Sequence, residues 1–73
     1  MLPEFAQNLL RMDLEDAEKW AAEGKPEAGY QELVAGRARA EAARNNTRAW
    51  AEELAQRYEE TMKEFAAKYR LEH

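Results

Sequence analysis

Leu2, Phe5, Leu9, Met12 and Trp20 place large apolar side chains near one side of a rotating pattern. Ala6, Leu10, Leu14, Ala17 and Ala21 widen it. Steps of three and four are those of one face of an α-helix. Pro3 suits the first helical position and Glu4 follows at the positive end of the helix dipole, so the helix is expected from about residue 3 to 23. Glu15 and Lys19 form an i,i+4 pair outside the stripe. Gly24-Lys25-Pro26 then ends the helix: glycine takes the left-handed stop conformation, and a proline two residues on cannot continue it.

Pro26 and Glu27 restart a helix. From there Leu33, Gly36, Ala40, Ala43, Thr47, Trp50, Leu54, Tyr58, Met62, Phe65 and Tyr69 cover 36 residues in ten steps, the helical period. The only candidate break is Asn45-Asn46-Thr47, which lacks the acid or amide three residues after Thr47 that a capping box supplies. Unbroken phase predicts one long helix over about 27–70. Glu53–Arg57, Glu59–Lys63 and Glu64–Lys68 support its second half with ion pairs in the favourable order.

The expected fold is all-α. It is an antiparallel helical hairpin with a long second helix, forming a single helical domain over residues 1–70, completed by dimerisation into a helical bundle. Residue i of the first helix pairs near residue 50 minus i, setting Phe5, Leu9 and Met12 against the small Gly36, Ala40, Ala43 and Thr47. Charge agrees: residues 1–23 carry six acids and two bases, whereas residues 37–48 carry four arginines and one acid. At 1.5 Å per residue the helices span about 31 and 66 Å, so the second overhangs the first. Trp50, Leu54, Tyr58, Met62, Phe65 and Tyr69 then lack cover. Burying the six is worth on the order of 10 kcal/mol, which assigns them to an interface with a second copy. Their eleven-residue spacings predict a nearly straight or slightly right-handed pairing. The alternative is a monomeric three-helix bundle, roughly residues 3–23, 27–44 and 47–70, with a break at Asn45-Asn46.

Composition narrows the chemistry. The 73 residues contain no Cys and no Ser, and the one histidine, His73, belongs to Leu71-Glu72-His73, which reads as an expression-tag remnant and is set aside. Nucleophilic schemes built on Ser-His or Cys-His are therefore excluded, as are Cys/His zinc sites and Glu-x-x-His di-iron sites. The three glycines do not form a phosphate loop. An enzyme is not expected, and neither is a cofactor or a metal. Asp13, Glu15, Asp16 and Glu18 read as a solvated acidic face lacking the loop carbonyls of a calcium site.

Net charge is −4, or −3 without Glu72, and no apolar run is long enough for a membrane span or a secretory signal, so a cytoplasmic location is expected. Residues 49–70 carry five acids and four bases, too few cations for a membrane-surface helix. The functional expectation is a non-enzymatic helical protein–protein interaction module that self-associates as a homodimer. A heterologous partner taking the second copy's place would use the same anchors. The alternative from another class is a nucleic-acid-associated or regulatory accessory protein, with Arg37, Arg39, Arg44 and Arg48 contacting phosphates. Overall acidity and the short patch speak against it.

Overall fold

In the computed structural model, which describes residues 2–45 and 48–72, the chain forms three helices: α1 (Glu4–Ala22), α2 (Pro26–Arg44) and α3 (Ala49–Tyr69). No strand occurs among the described residues.

The first turn follows the sequence. Gly24 takes φ 82°, Gly24 N–H donates to Ala21 O at 2.9 Å, and Lys25 N–H donates to Trp20 O at 2.9 Å. This is a glycine-centred double-bonded stop, and α2 restarts at Pro26. Asp13 then meets Arg39 at 3.0 Å and Trp20 meets Glu32 at 3.4 Å, each within two residues of the expected pairing. The acidic first helix thus lies against the basic middle of α2.

The long second helix is corrected. It ends at Arg44, and a separate α3 begins at Ala49, with Arg48 in extended backbone at φ −94° and ψ 115°. Asn46 and Thr47, on which the break was expected to turn, lie outside the described residues. α3 folds back along α2 and also meets α1, giving extents of 37 × 22 × 17 Å where an unbroken helix would reach about 66 Å. The physical reason is cover. Breaking the helix forfeits a few backbone hydrogen bonds, each worth about 1 kcal/mol. Refolding buries Leu54, Tyr58, Met62 and Phe65 within their own chain. The stripe keeps phase because residues 45–48 amount to about one helical turn, so continuity of period did not require continuity of helix.

Leu33, Tyr58 and Phe65 fill the centre, with the alanines Ala6, Ala17, Ala40 and Ala51 letting the helices approach. Gly29 and Gly36 complete this. A Cβ on Gly36 would lie 2.6 Å from Tyr58 Cζ, and one on Gly29 would lie 2.9 Å from Phe65 Cζ. Gly36 is a contact glycine as expected, but its partners are Tyr58 of α3 and Asp13 of α1.

Leu71, set aside with the terminal residues, also takes part in the fold. Arg70 adopts φ 57°, Leu71 N–H donates to Ala66 O at 2.8 Å, and Leu71 is half-buried against the core.

Candidate functional site

α1 presents a different face inward from the one expected. Ala6 and Ala17 are fully buried, Leu2 nearly so, and Leu10, Leu14 and Ala21 pack against the core. Phe5, Leu9 and Met12 are 51%, 44% and 55% exposed. A helix facing only α2 would bury them. With α3 present the inward direction swings toward the space between α2 and α3, about one residue position, or 100°, around the helix. Three large apolar side chains at i, i+4 and i+7 are left on the surface.

Their surroundings are defined. The Phe5 ring packs edge-on against Trp50 with centroids 4.9 Å apart. Leu9 borders a small cavity shared with Gly36, Ala40, Ala43, Trp50 and Leu54. One turn beyond Met12 the same helix carries exposed Asp16, whose carboxylate clusters with those of Asp13 and Glu32, all within 4.8 Å of one another. The stripe therefore ends in concentrated negative charge.

Asp13 is a correction to the solvated acidic face. Its side chain is only 13% exposed, and Oδ2 accepts from the Tyr58 hydroxyl at 2.5 Å and from Arg39 at 3.0 Å. Burial and this carboxylate push the Tyr58 hydroxyl far above the ordinary phenol value. The sequence held a signal for it: Asp13 stands seven residues after Ala6 and four before Ala17, in phase with both. Glu18 likewise leaves the solvated face. It accepts from Lys68 at 2.8 Å and from the Tyr69 hydroxyl, and these bonds hold its carboxyl below the ordinary carboxylate value while raising Lys68 and Tyr69.

The six residues assigned to an interface lie instead on their own bundle. Leu54, Tyr58, Met62 and Phe65 are core, and Trp50 and Tyr69 pack partly buried beside it, with the Tyr69 ring 4.7 Å from Phe65. The four arginines differ in their surroundings. Arg39 is held by Asp13, and Arg37 lies 4.0 Å from Glu41. Arg44 and Arg48 are exposed at the end of the bundle where Phe5 meets Trp50. No helix among the described residues is long and apolar enough to cross a membrane.

Comparison of the chain with protein-family models, with curated proteins and with solved structures finds no match in any of the three.

Proposed function

We propose that this chain is a non-enzymatic helical protein–protein interaction module that associates with a second copy of itself through the Phe5, Leu9 and Met12 face of α1. The observation that carries this reading is that stripe. Three large apolar side chains at helical spacing stand about half exposed, while smaller alanines of the same helix are buried. Such contiguous apolar surface marks contact sites more often than scattered single residues do. Spacing of i, i+4 and i+7 is the pattern with which one helix reads another.

The non-enzymatic part rests on chemistry. The chain lacks Ser and Cys, and its histidine is the last residue. Tyr58 and Tyr69 donate to carboxylates and hold their protons more tightly than a free phenol does, the reverse of what a nucleophile needs. Three half-exposed side chains make a small interface, so the association belongs to the weak, transient class.

The test is average mass by sedimentation equilibrium from micromolar to millimolar protein. Mass rises with concentration above 8.5 kDa in the wild type and stays there in Leu9→Glu, whose helical circular dichroism is unchanged. A wild type fixed at the single-chain mass across the range overturns the reading.

A further inference from the structure

We infer that the two copies pair antiparallel about Leu9, so that Arg48 of each chain reaches the carboxylate cluster at Asp16 of the other. This inference rests on self-association through α1 and adds its direction and its specificity.

The charges at the two ends of the stripe carry it. Beyond Met12 stand the carboxylates of Asp13, Asp16 and Glu32, within 4.8 Å of one another. Arg39 binds Asp13 and the Trp20 indole N–H donates to Glu32. Lys19 and Glu23 line the same hollow as Asp16 and Glu32, so with Arg39 and Lys19 counted an excess of negative charge remains there, and like charges so close repel. At the opposite end the chain enters α3 at exposed Arg48, two residues before the Trp50 ring that packs on Phe5. The apolar stripe lies between a negative end and a positive one.

A parallel pairing would set cluster against cluster and arginine against arginine. A two-fold axis near Leu9 does the opposite. It places residue i opposite residue 18 minus i, so Phe5 and Met12 of one copy interleave with Met12 and Phe5 of the other. Asp16 arrives beside position 2, the level at which Arg48 emerges. A second copy brings a further cation to this acidic end through the same operation that covers the stripe, as an isologous interface requires.

Two measurements test this on the full chain. In the first, Arg48→Glu weakens dimerisation by about tenfold, the summed loss of two symmetric ion pairs and the repulsion that replaces them. Adding Asp16→Arg restores affinity to within about threefold of wild type. Glutamate in the entry to α3 suits the helix dipole, so the variant folds. The second uses the absence of cysteine. Asn8→Cys, next to the axis, is bridged to itself by a short bismaleimide. Asp16→Cys is not, because two-fold-related copies of position 16 lie about 21 Å apart along the helix axis. A wild type that stays monomeric overturns the self-association reading and this inference with it. A wild type that dimerises, with Arg48→Glu without effect or with Asp16→Cys bridged as readily as Asn8→Cys, overturns the antiparallel arrangement alone.

Discussion

Gly36→Ala isolates the packing logic of the bundle because two large effects oppose each other at one atom. In an isolated helix the change is favourable, since alanine exceeds glycine in helix propensity by about 1 kcal/mol. Here the added Cβ would lie 2.6 Å from Tyr58 Cζ and 2.5 Å from Asp13 Oδ2, too close for either. Tyr58 is 1% exposed, and although its ring borders the small cavity beside Gly36, its bond to Asp13 resists a shift into it. Overpacking of this kind costs about 1–3 kcal/mol. Moving the ring also disturbs its hydrogen bond to Asp13, and bonds to a charged group are worth about 1.5–3 kcal/mol. The clash wins, and the expected net loss is about 2 kcal/mol, which for a chain of this size lowers the melting temperature by about 10 °C.

Urea and thermal unfolding followed by circular dichroism at 222 nm, a standard helix wavelength, read the loss directly, with an unchanged denaturant slope showing that the same surface is exposed. Repeating the substitution in a Tyr58→Leu background closes a double-mutant cycle. If the ring is the obstacle, Gly36→Ala costs at least 1 kcal/mol less there. Gly36→Ala at or above wild-type stability refutes the close approach of α2, α3 and Asp13.

Four further outcomes follow from the same contacts. Tyr58→Phe should cost about 1.5 kcal/mol, because Asp13 keeps Arg39 and some water, whereas Arg39→Ala, removing a partner 63% exposed, should cost under about 0.5 kcal/mol in urea unfolding. Glu18 is held below its ordinary value of 4.5, first by Lys68 and then by Tyr69, so it stabilises the fold above that value and the contribution fades as pH falls through its folded pKa; acid unfolding of Glu18→Gln should lack that component. Tyr58 is raised above its ordinary value of 10.0 by burial and then by Asp13, so its contribution is complete below pH 10 and fades as pH rises beyond it; in alkaline ultraviolet titration its ionisation should coincide with unfolding.

What could be read from the sequence was local. Gly24-Lys25-Pro26 specifies a stop and a restart in the backbone alone, and the structure has both. The Asp13–Arg39 and Trp20–Glu32 contacts follow from counting outward from that turn. The break between α2 and α3 could be placed near Asn45-Asn46 but not chosen over a continuous helix, because Arg48 provides no side-chain cap to α3. What decides it is the gain from covering Leu54, Tyr58, Met62 and Phe65, a sum over contacts distant in sequence. The Asp13–Tyr58 bond spans 45 positions and existed only once α3 folded back.

The rotation of α1 links that break to the proposed function. In a two-helix hairpin Phe5, Leu9 and Met12 would be the natural inward face, and Ala6 and Ala17 would sit beside it. Once α3 occupies the third corner, Tyr58 and Phe65 bring enough volume that α1 must offer its small residues to let the helices close, and Ala6 and Ala17 fall to 0% exposed. The large residues are then displaced outward as a set, and since they share a period they emerge as one stripe. The aromatic ridge of α3, which lacked cover in an extended chain, is satisfied within the molecule, and the uncovered apolar surface moves to α1. The proposed self-association and the intramolecular fold would therefore draw on different faces, and Leu9→Glu should abolish the first while leaving the second intact.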